Sequence, residues 1–228
     1  HVCRSNSIMA TINVNRQGVG TGISNGTFST ARTNAASAVT DGITGEADVQ
    51  YFGSARTKRF KRAFLHFDTS GITGTVTAAH IDINGGGGVD GDPNDTIIIK
   101  STAFGGDGGT ALATSDHFSS LDYGTAYSNE LTTWSTGNNE YTLTAAALAD
   151  IKNNDHFTVA IIDNDNDYAN SATTGTSDIT IDFDVTITLD YTAAATGYTH
   201  DIVGLAAASI NKVNSVATAS IGKINSVD

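Results

Sequence analysis

The stretch DITIDFDVTITLDY, residues 178–191, leaves this chain little choice of fold. Ile179, Ile181, Phe183, Val185, Ile187, Leu189 and Tyr191 occupy every odd position, and Asp178, Thr180, Asp182, Asp184, Thr186, Thr188 and Asp190 every even one. A period of two collects all the apolar side chains on one face of an extended strand, whereas a helix would scatter them around its circumference. One face must therefore be buried and the other wet, which is the habit of an antiparallel sheet in a layered β domain. The carboxylates along the wet face also discourage edge-to-edge pairing with another chain.

The rest of the chain follows suit. Residues 47–53, 63–68, 75–84, 95–102, 140–144 and 156–163 are short runs rich in β-branched and aromatic residues. Asn25-Gly26, Asp41-Gly42, Asp90-Gly91 and Asp107-Gly108 mark turns between them, and the run GGGG at 85–88 reads as a flexible turn. One helix is predicted over 142–154, with Thr144 as its cap and an Ala-rich body. Residues 9–24 read as a strand leading into a Gly-rich connection. Its GVGTG lacks the spacing of a dinucleotide fingerprint and reads as a linker. Residues 115–138 read as loop. The expected architecture is all-β: a two-sheet antiparallel jelly-roll-like sandwich over 25–192 with one short helix. It is preceded by an arm over 1–24 and followed by a linker and repeat tail over 193–228. The only methionine, Met9, reads as a natural start, which makes residues 1–8 a leader or remnant; a precursor cut before His1 is the alternative.

Charge and composition narrow the function. The net charge of −12 argues against nucleic-acid binding, which needs a basic face to displace counterions. A single cysteine, Cys3, excludes a disulfide framework, and no apolar run is long enough for a membrane helix. The opening residues also lack the apolar core of an export signal. No G-x-S-x-G or H-E-x-x-H occurs, the six histidines are scattered, and Glu46, Glu130 and Glu140 are the only glutamates. The expectation is a protein that is not an enzyme and needs no cofactor, with calcium as the one ion to consider.

Four groups of residues invite a functional reading. Asp163, Asp165 and Asp167 alternate with Asn after a strand, so their oxygens can converge on a hard cation such as calcium. The match to an EF-hand loop is partial, with Tyr168 at the sixth position and Thr174 at the twelfth; an Asx-rich turn that caps its own backbone explains the same residues. Tyr123, Tyr127 and Trp134 are candidates for a sugar-stacking platform, against core packing as the plainer explanation. Arg56, Lys58, Arg59, Lys61 and Arg62 concentrate five of the twelve basic residues and read either as an electrostatic interface or as a solvated hairpin. The chain closes on a phrase given twice, SINKVNSV at 209–216 and SIGKINSV at 220–227. Ile210, Lys212, Val213 and Val216 recur as Ile221, Lys223, Ile224 and Val227. Their spacing fits neither strict β alternation nor a heptad, so each copy is expected to make a short helical turn and then an extended step. Such a narrow apolar stripe reads as an assembly segment, with packing against its own domain as the alternative.

The spans KRAFLHFDTSGITGTVTAAHIDI and KSTAFGGDGGTALATSDHFSSLDYGTAYSNELTTWSTGNNEYTLTAAALADIKNNDHFTVAIIDNDNDY resemble jelly-roll domains of virion structural proteins from marine tailed phages. More remotely they resemble DNRLRE-type, carbohydrate-binding-like modules of secreted bacterial proteins. The resemblance covers about residues 25–192. The tail is similar to the A-x-I-x-K-V-N-G-V repeats at the ends of many phage structural proteins, with Ser215 and Ser226 in place of the usual Gly. The resemblance implies a non-enzymatic virion component made in the host cytoplasm: a capsid decoration, head fibre or tail appendage. Its implied partners are other virion proteins and its own copies, trimers by analogy, and a cell-surface glycan where display and binding coexist. Neither nucleic acid nor membrane insertion is implied. The competing expectations are a carbohydrate-binding module of a secreted or surface protein and a subunit of an extracellular filament.

Overall fold

The structure, a computed structural model, describes residues 7–24, 27–42, 46–91, 95–192, 212–213 and 216–217. In chain order the first elements are β1 (Ser7–Asn13), β2 (Arg16–Ser24), α1 (Phe28–Thr33), β3 (Ala38–Asp41), β4 (Glu46–Gly53), β5 (Lys58–Asp68), β6 (Thr75–Gly91) and β7 (Thr96–Ser101). There follow α2 (Asp116–Ser119), β8 (Leu121–Ala126), β9 (Asn138–Thr142), α3 (Ala145–Asn153), β10 (His156–Asp163), β11 (Gly175–Thr192), β12 (Lys212–Val213) and β13 (Val216–Ala217). A π-helical turn, Asn164–Tyr168, continues directly from β10. The protein is thus mostly antiparallel β with a few short helices. No helix among the described residues is long and apolar enough to cross a membrane.

Strands β1 to β11 form one sheet, in the order β8-β7-β10-β5-β4-β11-β6-β9, with β1 on β11, β2 on β5 and β3 on β2. Two long strands organise it. β11 pairs with β6 along one edge and with β4 and then β1, end to end, along the other. β5 likewise pairs with β2 along one edge and with β4 and then β10 along the other. β4 therefore joins the two halves of the sheet. A single apolar cluster draws on both halves, with Leu65, Phe67, Ile98, Val159 and Ile161 from one and Ile81, Ile83, Ile181, Ile187 and Leu189 from the other. Each such side chain contributes about 1.5–3 kcal/mol of burial.

The alternation in β11 is realised as expected. Ile179, Ile181, Val185, Ile187 and Leu189 are buried, while Asp178, Thr180, Asp182, Thr186, Thr188 and Asp190 are half-buried. The ladder to β6 is irregular yet keeps that alternation. Between Ile179/Val89 and Ile181/Gly85 the extra residues lie on β6, and between Asp182/Asn84 and Thr186/Asp82 they lie on β11. These two irregularities insert an even number of residues, so neither turns the apolar face outward. A third, between Asp190/Ala78 and Tyr191/Val76, adds a single residue on β6, and the buried positions of that strand change there from Ala79, Ile81 and Ile83 to Val76.

β5 is buried on both faces. Ala63, Leu65 and Phe67 enter the main cluster. On its other face Phe64 packs with Ile97, Ile99, Phe104, Leu112, Ala160 and Ile162, and Phe60 packs with Tyr51 and Ala31. This explains why AFLHF reads as a nearly continuous apolar run rather than an alternating one.

Several expectations need correction. GVGTG is not a linker: it lies in β2, paired with β5. Its glycines recur with period two because other residues press on that face. A Cβ at Gly20 would stand 2.9 Å from Cδ2 of His117, and one at Gly22 would stand 2.5 Å from Cε1 of the same ring. GGGG is not a turn but the far part of β6, where a Cβ on Gly85 would collide with the Ser135 carbonyl oxygen. The 115–138 region is not all loop, since it contains α2 and β8. The helix forms as α3 with Thr144 at its N-cap position, but the Thr144 hydroxyl donates to the Ala126 carbonyl instead of accepting from the helix. In the tail, Lys212–Val213 and Val216–Ala217 pair antiparallel, so these residues are extended and not helical; Ile210, Ile221, Lys223, Ile224 and Val227 lie outside the described residues.

The glycine face of β2 yields a prediction. Gly22→Ala should cost about 1–3 kcal/mol, the range for overfilling a packed interior. Urea denaturation of this variant beside Thr21→Ala, whose side chain is on the opposite face, checks it. Equal stability of the two would show that the close approach of His117 is unimportant.

Candidate functional site

The sequence candidates Asp167 and Arg62 meet in a buried polar network on the outer face of β5. Strand alternation sends Arg62 inward between Phe60 and Phe64, and its side chain is wholly buried. All five of its N–H groups are used. Nε donates to Asp167 Oδ2 at 2.6 Å and Nη2 to Asp167 Oδ1 at 2.8 Å, a bidentate pair. Nη2 also donates to the Arg32 carbonyl at 2.9 Å, and Nη1 donates to the His117 carbonyl and to His117 Nδ1. Because Nδ1 accepts, the His117 proton is on Nε2, which faces the Phe60 carbonyl at 3.3 Å. Tyr123 donates its hydroxyl to Asp167 Oδ1 at 2.8 Å. Arg32 donates Nε to the Asp167 carbonyl at 2.7 Å and lays its guanidinium 4.0 Å from the Tyr123 ring centre.

The π-helical turn is what places Asp167. Asp163 Oδ1 accepts from the backbone N–H groups of Asn166 and Asp167, which caps the turn and points it back over β5. The Asx explanation thus describes Asp163. Burial raises the pKa of its carboxyl. Burial likewise raises that of the Tyr123 phenol, with the Asp167 charge adding to the effect. Burial, with the Arg62 charge beside it, holds His117 neutral, lowering its pKa to about 4. Burial opposes the Arg62 charge, but Asp167 outweighs it and holds the guanidinium protonated. Removing either member of such a buried pair strands the other, a loss of about 3–5 kcal/mol.

These contacts change the reading of the candidates. Asp163, Asp165 and Asp167 do not converge as cation ligands: Asp167 is committed to Arg62, Asp163 to its own turn, and Asp165 is half-buried beside Asn164. The aromatic trio does not form an exposed platform. Tyr127 and Trp134 are core residues, and Tyr123 turns its hydroxyl into the network. The basic run is likewise no single patch. Arg62 is interior, Lys61 pairs with Asp48, Arg59 covers the Phe52 ring at 5.3 Å, Lys58 donates to the Thr173 carbonyl and Arg56 is exposed. A period-two strand necessarily divides such a run between two faces.

A cleft of about 300 Å³ opens elsewhere, lined among others by Lys100, Asp107, Tyr127, Asp150, His156 and Thr158. Lys100 Nζ donates to Asp150 Oδ2 at 2.7 Å, and the Tyr127 hydroxyl donates to the same oxygen. Burial disfavours the Asp150 charge, but these donors prevail and lower its pKa below the usual carboxylate value. Thr158 donates to the Gly106 carbonyl and so accepts from His66 Nδ1 at 2.8 Å. Burial, then the neighbouring His156, lowers the His66 pKa. The polar side chains lining the cleft are thus largely paired with one another, and the Tyr127 ring behind them is buried.

Sequence reasoning missed His117 and Arg32 as members of the network. It also missed His80, Asp82 and Glu140, whose potential ligand atoms all lie within 4.8 Å of one another. The alternation of TVTAAHIDIN places His80 and Asp82 on one face, but nothing local announces the opposing Glu140. Comparison with protein-family models and with curated proteins finds no match for this chain.

The neutral histidines predict a pH effect. A histidine with a lowered native pKa binds its proton more readily in the unfolded state. Stability is therefore complete above about pH 6.5 and is lost as pH falls from there toward about 4. His117 alone accounts for about 3 kcal/mol over that window. Chemical denaturation at pH 7 and at pH 4.5 should show the loss, and His117→Asn should reduce the difference between the two. An unchanged pH dependence in that variant would exclude His117 as its source.

Proposed function

We propose that this chain is a non-enzymatic structural component of a phage virion, a capsid decoration, head fibre or tail appendage. In this reading a jelly-roll-like β-sandwich is displayed on the particle and anchored through a terminal segment. One observation carries it. β12 and β13, which span the end of the first copy of the terminal repeat and the residue after it, pair with each other and, among the described residues, with no strand of the large sheet. A two-stranded ladder is marginal alone and gains by adding to a sheet edge or to an apolar surface. The second copy of the phrase doubles that opportunity. The sandwich is supported by the apolar cluster shared between the two halves of the sheet. The non-enzymatic part rests on the use of Asp167, Arg62 and His117 to tie elements together. Self-association, with threefold symmetry as the analogy suggests, belongs to the same reading.

Light scattering tests the tail. The full chain should form a defined oligomer, and the variant Val213→Asp/Val216→Asp should be a monomer with an unchanged melting temperature. Equal masses would sink the tail as the assembly element.

Carbohydrate binding is the second reading, favoured by the cleft around Lys100, Tyr127 and Asp150. It predicts saturable binding of a surface glycan in calorimetry that Asp150→Asn weakens. Glycan binding indifferent to that substitution would move the ligand away from this cleft.

A further inference from the structure

The outer face of the β11-β6-β9 ladder places two carboxylates and an imidazole together. Asp82 on β6 stands directly opposite Glu140 on β9, and His80, two residues before Asp82, stands opposite Thr142. On the other side of β6, Thr186 and Thr188 of β11 oppose Asp82 and His80. The intervening residues Ala79, Ile81 and Ile83 are buried, so the face bearing His80, Asp82 and Glu140 is the one turned toward solvent. His80 and Asp82 are half-buried and Glu140 is exposed.

This is an unusual choice for a cross-strand pair. Like charges directly opposite each other in a ladder are destabilising, and a lysine or arginine is the ordinary remedy. Among the described residues the one cation-forming side chain within ion-pair distance of Asp82 is His80, with Nε2 at 3.2 Å from Oδ2, and Glu140 has no such partner. The Asp82 carboxylate is meanwhile oriented by its neighbours. Asn138 Nδ2 donates to Oδ1 at 2.9 Å, and Thr188 Oγ1 donates to Oδ2 at 3.4 Å. Carboxylates that bind metals are commonly held by outer hydrogen bonds of this kind.

We propose that His80, Asp82 and Glu140 form a binding site for one divalent transition-metal ion of the zinc class. The donor set decides the class. Calcium and magnesium prefer oxygen alone, whereas one neutral imidazole nitrogen with two carboxylate oxygens suits zinc and its neighbours. The ion relieves the opposed carboxylates. Three ladder positions on adjacent strands fix the backbone, and the exposed Glu140 side chain has the freedom to close the shell. Three protein ligands leave a position for water or for a group from another molecule. The site is independent of the virion reading and of the cleft.

Calorimetric titration of the untagged full chain with zinc chloride tests the proposal, together with the absorption spectrum of the cobalt-loaded protein. One zinc per chain should bind saturably, and His80→Ala should remove that binding and change the cobalt spectrum. Glu140→Gln should weaken binding at least about tenfold, and Asn138→Ala by about tenfold through the outer hydrogen bond. All three positions face solvent, and melting temperatures measured without metal confirm that each variant is folded. An absence of saturable binding overturns the proposal. So does binding that His80→Ala and Glu140→Gln leave unchanged, which would assign the ion to other residues.

Discussion

A single buried positive charge organises one side of this protein. Arg62 enters the interior because β5 is covered on both faces and strand geometry gives its side chain no route to water. An uncompensated guanidinium there would not be tolerated, so its donors must all be met. The groups that meet them come from α1, α2 and the π-helical turn after β10, while Tyr123 on β8 braces Asp167 from the other side. Four separate stretches of the chain, α1, β5, α2 with β8, and the turn after β10, are thus held to one point by geometry that only their joint arrangement satisfies. A cluster of apolar residues at the same place would add burial energy but would not fix how α1 and α2 sit, because hydrophobic contact has little directionality.

The same constraint reaches β2. His117 can offer its carbonyl and Nδ1 to Arg62 only if α2 lies close on the sheet, and that approach is open only where β2 lacks side chains. The G-x-G-x-G pattern is the footprint of that contact. In the other half of the sheet β11 and β6 solve a different problem. Their ladder carries irregularities on both strands, two of them adding residues in even number and a third adding one residue on β6, yet Ile179, Ile181, Val185, Ile187 and Leu189 of β11 all stay buried. The first device is polar and local and the second apolar and distributed. β4 connects them by pairing with both β5 and β11.

Chemistry on the surface follows from the same sheet geometry. A strand with one wet face lines up its polar residues, and neighbouring strands in register set further polar residues beside them. The group formed by His80, Asp82 and Glu140 arises in this way, and so does the pairing of Lys61 with Asp48. The deep acids behave otherwise. Asp163 and Asp167 look equivalent in the run DNDND, but one caps a turn and the other neutralises an arginine.

What the sequence determined by itself was the class of fold and the facing of its clearest strands. The period-two pattern of residues 178–191 depends only on the geometry of an extended chain, and a helix expected over 142–154 from local propensity forms over Ala145–Asn153. Glycine was misread for a physical reason. GVGTG and GGGG look flexible in isolation, and only the bodies packed on them, His117 and Ser135, turn the missing Cβ atoms into a structural requirement. The partners of the site residues are hidden for a related one. Arg62 with Asp167, and Asp82 with Glu140, are joined across long stretches of chain by strand register and by a turn's direction. Tertiary structure alone decided those partners, because the energy that selects them comes from burying charge and matching ladders between segments that carry no local mark of each other.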